Sequence, residues 1–278
     1  MPLVTTDRLL DPARAAHRGV GAFNVIQIEH AEAFVAAATR VGCGVVLQIS
    51  QNAARWHGAL EPLAAATLAV ARAAEVPVAV HLDHAEDRDL VTEALDLGFT
   101  SVMYDGSALD YDDNVAATAA VVAQARAVGA FVEAELGKVG GKDGVHAPGV
   151  RTDPAEAVAF VEATEVDALA VAVGSSHAMT DRTASLDLAR VAELRAAVPV
   201  PLVLHGSSGV PDAELTRAVE AGMTKINVST HLNSTLTTAL RTFLDENPAV
   251  VDPRKYLGAG RDAMRDEVVR LLGVLRAA

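Results

Sequence analysis

Short apolar segments alternate with longer alanine- and leucine-rich amphipathic segments along the whole 278-residue chain, and this pattern predicts an α/β protein, a (β/α)8 TIM barrel. Two further observations agree. A barrel of ~250 residues is the commonest single-domain solution near this length. The composition is 51% hydrophobic but only 4% aromatic, which suits Ala-rich helices packed on Val-rich strands. No Gly/Ser-rich or charged linker divides the chain, so the expectation is one domain over 1–278, with a C-terminal helical extension from about Asp252.

Taken in order, the strand candidates end near Asn24, Ser50, Asp83, Asp105, Glu135, Gly174, His205 and Asn227. Pro77 precedes the third strand and Pro201 opens the seventh, each followed by a valine- or leucine-rich run. Between the strands, helical periodicity runs over Glu29 to Val41, Leu60 to Ala74, Arg88 to Leu97, Asn114 to Val128, Pro154 to Thr164, Leu188 to Ala197 and Asp212 to Ala221. Gly98, Gly129 and Gly222 close three of these, and Asp153-Pro154 places proline in a first helical turn.

A net charge of −13 argues against nucleic acid and anionic membranes as partners, since both need clustered Lys and Arg. It leaves room for a small anionic substrate held by backbone N–H groups and one or two cations. Cys43 is the only cysteine, which forbids an internal disulfide and fits a reducing cytoplasmic setting. The opening Met1 to Arg8 lacks the apolar core of a signal peptide, and no apolar run is long enough to span a bilayer.

Strand interiors are Val, Ala, Leu and Ile, whereas the strand ends supply Asn24, Ser50, Asp83, His84, Asp105, Glu135, His205 and Asn227, with His177 just past the sixth strand. Parallel strands in a barrel deliver all such ends to one rim. Adjacent residues of a strand point to opposite faces, so Asp83 and His84 can share a site only where the strand ends and turns. His84, His177 and His205 then form a set of three imidazoles with an open fourth position, the pattern of a catalytic rather than a structural zinc site. His17, His30, His57 and His231 fall in helical or loop stretches, and His81 and His146 are weaker candidates. Asp105 and Glu135 are placed to hold a second cation or move protons; Glu133 and Glu135 share a face, one close to the metal and the other supporting. Gly206, Ser207, Ser208 and Gly209 after the seventh strand, and Asn227, Val228, Ser229 and Thr230 after the eighth, occupy the loops where barrels commonly bind phosphate.

These residues lie in stretches that together resemble one family: HLDH at 81–84, GFTSVMYDGS at 98–107, VEAELGKVGG at 132–141, DALAVAVGSSH at 167–177, PLVLHGSSGVP at 201–211, KINVST at 225–230 and DPRKYLG at 252–258. The chain resembles the class II, zinc-dependent ketose-bisphosphate aldolases, the group containing fructose- and tagatose-bisphosphate aldolases. The resemblance implies that His84, His177 and His205 ligate catalytic zinc. It implies that Asp83 is the acid for the aldehyde oxygen, and that Asp105 and Glu135 serve a second, mobile zinc position. It further implies dihydroxyacetone phosphate on the loops 206–209 and 227–230, a monovalent cation (Na+ or K+) beside that phosphate, and a homodimer or homotetramer. Arg254 matches an arginine that reaches the far phosphate, within the chain or across a subunit boundary. Asn227 is then a donor to the enediolate, and Asp143 takes the place of a loop glutamate that moves the C3 proton.

The chain departs from the family at Ala178 and Thr180, where glycine and tyrosine are usual, at Ser207 in place of glycine, and at His231 in place of an acid. These changes fall on the substrate grip and leave the zinc set and Asp83 intact. The sequence leaves open which ketose is used, whether its far end is phosphorylated, and whether a barrel relative that only binds metal and sugar phosphate would look the same.

Overall fold

In the computed structural model eight parallel strands pair in sequence order and close into a barrel: β1 (Val20–Asn24), β2 (Val45–Ser50), β3 (Val78–Ala85), β4 (Ser101–Tyr104), β5 (Phe131–Leu136), β6 (Ala168–Val171), β7 (Leu202–Leu204) and β8 (Met223–Val228). Residues 2–136, 151–177 and 179–278 are described; the segment 138–150 with Asp143, and Ala178, lie outside them. Almost every strand residue is buried, as expected where helices cover one face and the barrel interior the other.

The helices follow the same order: α1 (Asp7–Ala15), α2 (Ile28–Val41), α3 (Gln51–His57), α4 (Glu61–Ala73), α5 (Arg88–Leu97), α6 (Tyr111–Ala127), α7 (Pro154–Thr164), α8 (Leu188–Ala197), α9 (Asp212–Ala221), α10 (Thr230–Glu246) and α11 (Pro253–Val274). Asp87, Asp153 and Asp187 cap α5, α7 and α8 by accepting backbone N–H bonds, and Gly42 and Gly98 end α2 and α5 in the left-handed conformation. The interior is divided. One part is apolar, with Val20, Ala22, Val46, Ala79, Phe131, Ala168 and Val203 packed on Leu9, Leu10 and Ala13 of α1. The other is polar, with Gln48, His81, Ser101, Glu133 and Lys225 all fully buried.

Three features differ from expectation. β3 does not stop at Asp83 but continues through Ala85, with a register shift against β4 between Leu82 and Ala85. β6 stops at Val171 rather than near Gly174, because its neighbour β7 offers only Leu202 and Val203 for pairing and the chain then turns at Gly174, φ 116°. The C-terminal helix α11 begins at Pro253, with Asp252 as its cap, but an unexpected helix precedes it: α10 packs antiparallel on α11, with Leu236 and Leu240 closing on Gly260.

Candidate active site

Asp83 and His84 come together by a local distortion inside β3. His84 has φ 49°, a left-handed conformation that costs a non-glycine residue about 1–2 kcal/mol. Together with the shift in register, this turns His84 to the same side as Asp83 without ending the strand. The pair therefore meets within the strand, not at its terminus as the sequence alone suggests.

His84, His177 and His205 are grouped so that one ligating nitrogen from each lies within 4.8 Å of the others; His84, Asp105 and Glu135 form a second such group sharing His84. The three imidazoles stand edge to face, with ring centroids 5.0, 4.5 and 5.8 Å apart. Carboxylates set two of the tautomers. His84 donates Nδ1–H to Asp105 Oδ2 at 2.8 Å, and His205 donates Nε2–H to Glu133 Oε1 at 2.9 Å. Burial pushes His205 well below the usual imidazole range. In their neutral forms, with the other ring nitrogens bonded to carboxylates, His84 Nε2 and His205 Nδ1 face each other with lone pairs, 2.7 Å apart. Two lone pairs at that distance repel unless a cation accepts both, and histidines braced by carboxylates are how proteins aim such lone pairs at a metal. The donor set fits Zn2+ with a position left for substrate.

Glycine fixes the approach of the third histidine. Gly206 has φ 68°, and a Cβ there would lie 2.6 Å from the backbone carbon of Ser176, so the loops after β6 and β7 touch backbone to backbone beside His177 and His205.

Two amides bracket Asp83. Asn24 donates Nδ2–H to Oδ2 at 2.9 Å, itself oriented by Gln48, whose Nε2 donates to Asn24 Oδ1 at 2.8 Å. Asn227 Nδ2 lies 3.4 Å from Oδ1. Burial alone would raise the Asp83 carboxyl, but His84, His205, Lys225 and the Asn24 donor override it and hold it at about 2. Asp83 is an ionised base at neutral pH. Ser50 sits opposite Asp83 in the ladder and caps α3 by accepting from Ala53 N at 3.2 Å.

The two small-residue loops meet. Ser207–Gly209 is a 3-10 turn, and Ser208 Oγ accepts N–H bonds from Ser229 and His231, both 3.2 Å, at the start of α10. Gly209 packs on Met179, and Ser207 donates to Leu204 O at 3.1 Å. Val228 is buried at the end of β8 and Thr230 opens α10. His231 pairs with Glu267 of α11 at 2.5 Å, which continues through Arg270 and Asp212 to Arg182. Arg254 is not among these residues: it is 89% exposed in the first turn of α11, held by Asp252.

Sequence reasoning missed the polar barrel interior. There His81 bonds Ser101 at 2.6 Å and Lys225 is ion-paired with Glu133 at 2.9 Å; also missed was Gln51 at the start of α3, which accepts N–H bonds from Glu86 and Asp87 just past β3. The available signal was period two: His81 precedes Asp83, Gln48 precedes Ser50 and Lys225 precedes Asn227 by two residues each, so each shares the inward face of a residue already chosen.

A closed parallel barrel with a three-histidine metal centre open to substrate, an ionised aspartate beside it and two converging small-residue loops defines a metal-dependent barrel enzyme. Comparison with known proteins narrows the class. The family model for "Fructose-bisphosphate aldolase class-II" matches residues 4–278. The fructose-bisphosphate aldolase of Geobacillus stearothermophilus is 39% identical over 273 residues, covering 97% of this chain and 95% of that protein. The crystal structure of the YdjI aldolase from Escherichia coli K12 superposes with a TM-score of 0.87 at 29% identity, covering 99% of this chain and 98% of that one. The chain belongs to the class II fructose-bisphosphate aldolase family and is a class II aldolase, a carbon–carbon lyase.

Proposed function

We propose that the protein cleaves and forms the C3–C4 bond of a ketose bisphosphate of the fructose or tagatose type, with dihydroxyacetone phosphate and an aldehyde as the products. The observation that carries this reading is the convergence of three histidines, two with their lone pairs aimed by carboxylates, beside the ionised Asp83. Zinc held by His84, His177 and His205 would supply Lewis-acid stabilisation of the negative charge that develops on the dihydroxyacetone half. Asp105 and Glu135 would hold it in a second position.

Asp83 accepts the C4 hydroxyl proton in cleavage and returns it in condensation. Asn24, which donates to Asp83, and Ser50 beside it line the substrate side of that base. The Nδ2–H of Asn227 donates to the enediolate. Asp143 carries the C3 proton. The phosphate lies where the loops 206–209 and 227–230 meet at the start of α10, a helix N-terminus suited to an anion, with Na+ or K+ beside it. Arg254 takes the far phosphate in a homodimer or homotetramer. No described helix is long and apolar enough to cross a membrane.

The test is triose phosphate release from fructose and tagatose bisphosphates and their monophosphates, with and without a chelator. We expect activity that is lost on chelation and restored by Zn2+. Full activity in metal-free protein, or a borohydride-trapped lysine adduct, would overturn the reading.

A further inference from the structure

Lys225 has no part in the mechanism above, yet its ammonium group is fully buried inside the barrel. Removing such a charge from water costs several kcal/mol unless partners compensate, so its partners matter. They are Glu133 Oε2 at 2.9 Å and Asn227 Oδ1 at 2.9 Å. Glu133 turns its other oxygen to His205.

We propose that Lys225 is a positioning residue that fixes the side-chain amide of Asn227, turning its N–H donors toward the reacting centre. The proposal rests on the aldolase reading, in which Asn227 meets the substrate. The oxygen and nitrogen ends of an asparagine amide are nearly the same size, so packing alone does not choose between its two orientations; hydrogen-bond partners do. An ammonium group has three donors and no acceptor, so it can be satisfied only by Oδ1. Nδ2 then faces Asp83 Oδ1 at 3.4 Å and the His205 ring nitrogens at 3.5 and 3.3 Å. Those contacts are longer than the usual ~2.9 Å of an N–H bond to oxygen, which leaves the Asn227 hydrogens uncommitted to a strong protein acceptor. A developing enediolate oxygen would supply one. In the opposite orientation Asn227 would present a carbonyl oxygen to the Asp83 carboxylate and to the enediolate, both repulsive.

The residue spacing supports this arrangement. Lys225 and Asn227 share the inward face of β8 at period two, and Val203 of β7 and Val20 of β1 flank Lys225 in the ladder. Glu133 balances the lysine charge, which makes the pair separable from its effect on Asn227 by a charge-neutral replacement.

The decisive protein is the double variant Lys225→Met with Glu133→Gln. It keeps the interior neutral and retains an amide oxygen to accept from His205, whereas Lys225→Met alone leaves a buried carboxylate uncompensated and can fail to fold. We expect the double variant to keep its thermal unfolding and, with the carboxylate on His205 replaced by an amide, to bind Zn2+ roughly 10–100-fold more weakly, so kcat is compared at saturating Zn2+. Its kcat should fall roughly 10²-fold, the loss typical of one misplaced oxyanion donor, with KM nearly unchanged. Asn227→Ala should cost a similar factor in the native chain and nothing further in the double variant, because the two act as a unit. Native kcat in the double variant, or a full additional loss on removing Asn227, would overturn the proposal. A second arm does not depend on turnover. With ¹⁵N-labelled asparagine, the Asn227 side-chain NH2 pair, assigned by its disappearance in Asn227→Ala, should exchange slowly in the zinc-loaded native protein and shift and broaden in the double variant. An unmoved resonance overturns the positioning role even if the native chain cleaves no ketose bisphosphate, a result that would by itself count against the aldolase reading alone.

Discussion

His84 shows how a residue can be chosen for chemistry against its own backbone. At φ 49° it occupies a conformation that glycine adopts freely and an L side chain does not, and it does so inside a strand. The strain brings Asp83 and the metal ligand to one side of β3. Replacement by alanine or glycine removes the imidazole equally, so comparing the two isolates the backbone cost. His84→Gly should be more stable than His84→Ala by about 1 kcal/mol, reversing the usual order of these residues in strands. Denaturant unfolding of the two metal-free variants measures the difference. Equal stabilities, or an advantage for alanine, would show that β3 relaxes when the imidazole is absent. At this scale the sequence was only partly legible. Histidine and aspartate side by side were visible in HLDH, but the distortion that lets them cooperate leaves no glycine or proline as a trace. Lys225 was hidden for a related reason: a lysine within a strand that also carries Thr224 and Asn227 reads as an edge or surface residue unless its partner Glu133, far away in sequence, is known to face it.

At the scale of elements, the barrel is a device for bringing loops into register. The strands and most barrel helices could be read because each carries its own punctuation, and the helices at Arg88–Leu97, Pro154–Thr164, Leu188–Ala197 and Asp212–Ala221 have the limits that periodicity and capping residues indicate. α10 could not. Leu232, Leu236, Leu240 and Leu244 do recur at helical spacing, but the segment is rich in threonine, with weak helix propensity, and no side chain caps its start; its helix is secured by antiparallel packing on α11. The contact between the loops after β6 and β7 is likewise tertiary, and Gly206 makes it possible. Gly206→Ala would place a methyl group 2.6–2.9 Å from three backbone atoms of Ser176 at a left-handed φ, so both clash and conformation oppose it. We expect destabilisation by roughly 2 kcal/mol or more. Because His177 follows Ser176 and His205 precedes Gly206, zinc affinity should fall as well, measured by competition with a chromophoric chelator. A stable Gly206→Ala protein with native zinc affinity would mean that the two loops are free to separate and that the ligand geometry is set elsewhere.

For the molecule as a whole, the geometry of the α10–α11 hairpin bears on where Arg254 can act. His231 meets Glu267 at the base of the hairpin, beside the loops proposed to hold phosphate. Arg254 lies thirteen residues before Glu267 on the same helix, about 20 Å away at 1.5 Å per residue. No residue of α11 before Gly260 is buried, and Val251 at the hairpin tip is 90% exposed. An arginine side chain spans about a third of that distance, so Arg254 does not reach those loops of its own chain. It can serve the site of a second copy, and this gives a quantitative test. An Arg254→Ala chain lacks the far-phosphate contact it would lend to a partner; an Asp83→Ala chain lacks its own base, at a typical cost of ~10²–10⁴ in rate. In a homodimer reassembled from equal amounts of the two, half the dimers are mixed. Each mixed dimer has one complete site, made of native Asp83 and the partner's native Arg254, so about a quarter of all sites recover. We expect each variant alone to cleave the bisphosphate poorly and the reassembled mixture to reach about a quarter of native activity. The gain should be confined to substrates with a far phosphate, because a monophosphate does not use Arg254. A mixture no more active than the average of its parents would confine Arg254 to its own chain or remove it from the site.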